Sequence, residues 1–137
     1  NKVEVVKEEN DSEIYNSNVI KDVEYITKDK NGNEYIIKAK EGEIDFLNPS
    51  IIFLKKVHAV VKLIDSEEVT IFSDFGKYNS ENYDTIFSKN VIINYLDNKI
   101  TGEYLDLSLE RNLMVISKNV IYSNLDNVLN ADVILFA

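Results

Sequence analysis

Two octapeptides constrain this chain more than any other feature. FSKNVIIN (Phe87–Asn94) and ISKNVIYS (Ile116–Ser123) share most of their letters and lie 29 positions apart, and a looser copy, FLKKVHAV, runs from Phe53 to Val60. A gapless alignment on Val57, Val91 and Val120 extends the match backwards. It brings Ile37, Ile71 and Ile100 together, then Ala39, Ser73 and Gly102, then Ile44, Tyr78 and Leu107. Phe53, Phe87 and Ile116 also coincide, as do Lys55, Lys89 and Lys118. Fixed periods of this length are the mark of one supersecondary unit laid against the next. The chain is therefore a series of similar units.

The unit is a strand pair. Apolar residues alternate from Phe53 through Val57, Ala59 and Val61, from Phe87 through Val91 and Ile93, and from Ile116 through Val120 and Tyr122. Period two with β-branched and aromatic residues specifies half-buried strands. The intervening Ser88, Asn90, Asn94, Ser117, Asn119 and Ser123 read as a solvent face. Between strands, KNGN (Lys30–Asn33) carries an Asn-Gly pair suited to a tight hairpin, because both residues tolerate positive φ. LDNK and DSEE serve later joints, and the Pro of LNPS marks a loop. Strands are expected near 19–29, 33–41, 50–64, 68–75, 84–96, 99–107, 113–123 and 130–136. Long antiparallel strands with one apolar face must fold that face onto another sheet. The expected fold is all-β: a twisted antiparallel β-jelly roll, an open sandwich of hairpin repeats with open edge strands, over residues 19–137.

Composition removes several functions. The net charge of −9 opposes a nucleic-acid partner, whose phosphates require a basic face. Without Cys there are no disulfides, thiolate metal sites or Cys nucleophiles. No phosphate-binding loop or dinucleotide fingerprint is present, so no cofactor is expected. His58 is the single histidine and falls on the outward parity, with no second metal ligand near it. Carboxylate pairs are expected by chance among 24 acids, so no acid/base site is assigned. No run approaches the ~20 apolar residues of a membrane-crossing helix. The chain begins with Asn1, so residues 1–18 are expected to be an arm that follows a membrane anchor or signal.

Several stretches together resemble the periplasmic domain of the lipopolysaccharide-export component LptC. They are NGNEYIIKAKEGEID (Asn31–Asp45), FSDFGKYN (Phe72–Asn79), IFSKNVIINY (Ile86–Tyr95), ITGEYLDL (Ile100–Leu107) and LNADVILFA (Leu129–Ala137). The resemblance implies a non-enzymatic, periplasmic β-jelly roll tethered to the inner membrane by an N-terminal helix that this chain lacks. It implies a groove that takes lipopolysaccharide acyl chains from an ABC transporter towards a soluble bridge protein of the same fold. The soluble bridge family and the N-terminal domain of the outer-membrane translocon share enough of the pattern to fit as well.

On that reading the inward set Ile37, Ala39, Phe53, Val57, Ala59, Val61, Ile71, Phe87, Val91, Ile93, Ile116, Val120 and Tyr122 lines the groove. From periodicity alone, the same set is an ordinary sandwich core. Small residues at Ala39, Ala59, Ser73 and Gly102 would leave room for acyl chains. Lys55, Lys89 and Lys118 share the parity of the apolar face. Either a bulge or bend turns each outward, or they form a cationic row at the groove mouth for lipid headgroups, their stems along the apolar wall.

Two edges complete the expectation. The first strand, with Val23 and Tyr25, carries the protective charges Lys21, Asp22 and Glu24; the last, with Val133 and Leu135, carries only Asp132. An unprotected last strand suits addition of a partner's strand, unless the N-terminal arm covers it. The resemblance assigns the first edge to the transporter's periplasmic domains and the last to the bridge protein. The rival is a carbohydrate-binding, lectin-like jelly roll; the lack of Trp and the mostly inward or turn positions of Tyr35, Tyr78, Tyr95 and Tyr122 weigh against it.

Overall fold

A computed structural model describes residues 19–136. The arm expected over residues 1–18 lies outside the described residues. Eight strands follow one another: β1 (Val19–Lys28), β2 (Glu34–Ile44), β3 (Ile51–Lys62), β4 (Val69–Asn79), β5 (Thr85–Tyr95), β6 (Asn98–Ser108), β7 (Leu113–Ser123) and β8 (Val128–Phe136). Each pairs antiparallel with its neighbours in sequence, giving one open sheet in the order β1 to β8. The described residues contain no helix. The all-β, open jelly-roll expectation is met.

The turn from β1 to β2 shows how the hairpins are fixed. Asp29 accepts hydrogen bonds from the Asn31 and Asn33 amides at 2.9 and 3.0 Å, and from Asn33 Nδ2 at 3.0 Å. Gly32 supplies the positive φ, +93°, that closes the loop. Burial acts most strongly on Asp29 and raises its pKa. Hydrogen bonds from Asn33, Asn31 and Gly32 together outweigh it and hold the carboxyl below its ordinary value. A carboxylate depressed in the fold contributes stability above its unfolded pKa and loses it as pH falls through the depressed folded value. Asp29→Ala should therefore lower stability by about 1 kcal/mol at neutral pH, with the difference from wild type shrinking in acid. Urea unfolding at two pH values measures both.

Every strand is broken at the same level. The paired ladders skip Asp22 opposite Lys40, Lys40 opposite Lys56, and Lys56 opposite Asp74. In the later strands Lys89–Asn90 and Lys118–Asn119 bulge out, against Glu103 and Asp132 as single residues. Asp22, Lys56, Lys89, Asn90, Lys118 and Asn119 all have φ between +52° and +69°. The repeated SKNV letters are therefore a bend. Asn tolerates the left-handed backbone through its short polar side chain. Two residues set against one, an excess of one, kink the strand and increase its twist.

Along this line the sheet folds over, and its halves face each other as two layers. Tyr25 of β1 stacks on Tyr78 of β4 with ring centroids 4.7 Å apart, although these strands are not neighbours in the sheet. Ile71, Tyr78, Phe87, Val91, Leu105 and Ile116 are fully buried between the layers. Each such side chain contributes roughly 1.5–3 kcal/mol on leaving water. Close approach beside the bend requires glycine: a Cβ on Gly102 would lie 2.9 Å from the Ile116 side chain.

The strands extend beyond some expected ends. β2 continues through Ile44 and β4 through Asn79, because the bend shifts the apolar phase and makes their second halves look out of step. Gly76 and Tyr78 are buried on β4 past the break, on the opposite parity from Ile71 and Ser73 before it.

Candidate functional site

The interior gathers most of the expected groove residues. Ile37, Ala39, Val57, Ala59, Val61, Ile71, Phe87, Val91, Ile93, Ile116 and Val120 are buried in one continuous apolar cluster, with Tyr122 half-buried at its margin. Phe53 departs from the expectation. It is 45% exposed and faces outwards. The left-handed Lys56 lies between Leu54 and Val57, so β3 points Ile52 and Leu54 inward before the bend and Val57, Ala59 and Val61 after it. Ile52, Leu54, Tyr78 and Leu105 belong to the interior and were missed for this reason.

The lysines are corrected in the same way. Lys55, Lys89 and Lys118 are exposed and do not share the inner face. Lys89 Nζ sits over the Phe75 ring and Lys118 Nζ over Tyr104, each 5.9 Å from the centroid. A two-residue bulge turns Lys89 and Lys118 outward, and at Lys55 the left-handed bend at the neighbouring Lys56 does so without a register shift.

From β1 to β7 the layers are closed. Ile71, Phe87, Val91 and Ile116 have 0% exposure, and Ile116 fills the space above Gly102 that was expected to admit a ligand. At the far end of the layers Tyr35, Val61, Leu107 and Met114 border a mouth of about 120 Å³. The interior opens at β8. Leu129 is paired with the half-buried Tyr122 on the inner face but is 58% exposed, and Ile134 is half-buried.

The edge strands differ. On β1, Val23 and Tyr25 point into the core, and three cross-strand ion pairs guard the outer side of β1 and β2: Lys21 with Glu41 at 3.0 Å, Lys38 with Glu24 at 3.4 Å and Lys28 with Glu34 at 3.5 Å. The hydrogen bond from Lys21 holds the Glu41 carboxyl below its ordinary range. On β8, Val133 and Leu135 are 54% and 63% exposed, and among the described residues β8 pairs with β7 alone.

The outer face is less polar than its serines and asparagines indicated. Phe72 stacks on His58 at 4.4 Å. Phe53, Phe75, Ile86 and Tyr104 line a concavity of about 440 Å³ with Lys55 and Lys77 on its walls. Among the described residues no three His, Asp or Glu side chains gather to hold a metal ion.

The sequence profile of the family described as lipopolysaccharide-assembly, LptC-related, matches residues 2–131. The chain belongs to that family. No curated protein gives a significant match. Membership in the LptC-related family places the chain in lipopolysaccharide transport.

Proposed function

We propose that this domain is a non-enzymatic bridge that receives lipopolysaccharide from an inner-membrane ABC transporter and passes it towards the outer membrane. The observation that carries this reading is the form of the interior: an apolar surface continuous across the sheet, closed over β1–β7 and open at β8, beside an apolar edge that is unpaired among the described residues. Acyl chains enter by parting the two layers from the β8 end. Each buried methylene contributes about 0.8 kcal/mol, so a dozen suffice to offset part of the cost of separating the layers. Ile37, Ala39, Val57, Ala59, Val61, Ile71, Phe87, Val91, Ile93, Ile116, Val120 and Tyr122 are the wall that the chains meet. Lys55, Lys89 and Lys118, lying outside, contact headgroups only where sugar and phosphate wrap over the ridge.

The transporter's periplasmic domains dock at β1, where a partner meets the backbone and not the inward Val23 and Tyr25. A soluble protein of the same fold docks at β8 by adding a strand alongside Val133 and Leu135. The domain sits in the periplasm, with residues 1–18 leading to it from an inner-membrane anchor. The matched profile and its resemblance to LptC support these assignments.

Photocrosslinking tests the groove. A photoreactive phenylalanine at Phe87 is expected to capture lipopolysaccharide, while the same probe at the outward Asn90 is expected to stay silent. Silence at both positions in folded protein with excess lipid would return Phe87 to a permanently closed core. Capture at Asn90 alone would move the ligand to the outer face, where the aromatic concavity of Phe53, Phe75 and Tyr104 suits a sugar.

A further inference from the structure

The bend line follows a rule that repeats twice and is then left incomplete. Asp74 on β4 accepts a hydrogen bond from Asn90 Nδ2 on β5 at 2.8 Å. Glu103 on β6, 29 residues later, accepts one from Asn119 Nδ2 on β7. In both cases the asparagine follows a lysine, precedes an inward valine and has a left-handed backbone. Asp132 on β8 lies a further 29 residues on and drops out of its ladder at the same level, opposite Lys118–Asn119. It is exposed and makes no hydrogen bond or ion pair among the described residues. With Asn119, Ile121 and Asn130 it borders a notch of about 400 Å³. The third acid has no asparagine.

We infer that β8 selects a partner strand carrying a Lys-Asn pair at its own bend, with the asparagine amide donating to Asp132, and that the same carboxylate excludes a second copy of this chain. The inference rests on β8 being a partner edge. A ninth strand antiparallel to β8 runs in the same direction as β5 and β7, so its bend meets Asp132 as theirs meet Asp74 and Glu103. The chain's own β1 has that direction and the related letters Lys21-Asp22-Val23, with Asp22 at φ +52°. Head-to-tail pairing in this register puts Asp22 against Asp132. Like charges opposed across a strand pair are destabilising, whereas an amide donating to a carboxylate forms one of the stronger hydrogen bonds. One position thus favours one partner and repels another, which is how specificity is commonly divided.

Two labelled peptides test this: a copy of residues 113–123, which retains Lys118-Asn119, and its N119D counterpart. Each is titrated into the whole chain and followed by fluorescence anisotropy. The native peptide should bind about tenfold tighter than N119D, as expected for one hydrogen bond to a charged group. An Asp132→Asn chain should reduce the ratio to below about twofold. Equal binding of both peptides to the wild-type chain would overturn the selectivity and leave β8 as a docking edge. Binding of neither would overturn the edge reading along with it. Sedimentation velocity tests self-exclusion: Asp22→Asn should strengthen self-association about tenfold, and an unchanged constant would refute it.

Discussion

Truncating Phe87 to alanine is expected to lower stability by about 3–5 kcal/mol, a large share of the ~5–15 kcal/mol that holds a typical domain together. Phe87 is fully buried on β5 just before the bend, paired with Gly76 on one side and Leu105 on the other. Gly76 has no side chain with which to fill the hole. Its backbone is already close to Val57 and Leu54, since a Cβ there would lie 3.1 Å from Val57 Cγ2. The site therefore collapses poorly, and the cavity term adds to the lost transfer energy. Urea unfolding of the variant checks this. A loss below about 1 kcal/mol would mean that the layers around Phe87 are already apart in solution, and the interior would then act as a standing groove.

Asn90→Val should cost about 2–3 kcal/mol, and Asn90→Gly well under 1. Valine at φ +55° brings its branched Cβ against the backbone, a strain of about 1–2 kcal/mol, and the hydrogen bond to Asp74 contributes roughly 1 more. Glycine loses only the hydrogen bond and relieves the backbone. The two midpoints in urea separate the causes. Equal losses would assign the effect to the amide; a valine variant as stable as wild type would mean that the bend does not depend on a left-handed residue. Asn119→Val should behave alike, because Asn119 has φ +53° and bonds Glu103.

The bend also explains what was legible in the sequence. Strand type, number and order could be read because alternation persists on either side of each break. The position of the break could not. In β5, Val91 follows Phe87 by four residues, so a two-residue bulge leaves the apolar parity intact and simple alternation runs through it, placing Lys89 inside. In β3 the step from Leu54 to Val57 is three, parity changes, and counting back from Val57 puts Phe53 inside in place of Leu54. The available signal was the polar pair itself, Lys-Asn before Val, which recurs where a regular strand has no need for it.

The open end of the interior was hidden for another reason. Leu129 and Val133 look like strand residues in any sheet, and their exposure depends on whether a ninth strand covers β8, which no local pattern encodes. The β8 edge itself was legible, because Asp132 is its single charge.

Because every strand crosses from one layer to the other at the same level, the line from Asp22 to Asp132 is the spine of a book whose pages are the two layers. Five residues beyond the spine, at ~3.3 Å each, make a lever of roughly 16 Å. A turn of about ten degrees about it moves the rim on the order of 3 Å and the spine almost not at all. Resistance to such a motion is greatest where leverage is longest, at the far rim where Tyr35, Val61, Leu107 and Met114 border the mouth. The glycines and left-handed residues beside the spine would turn through the same angle with hardly any displacement.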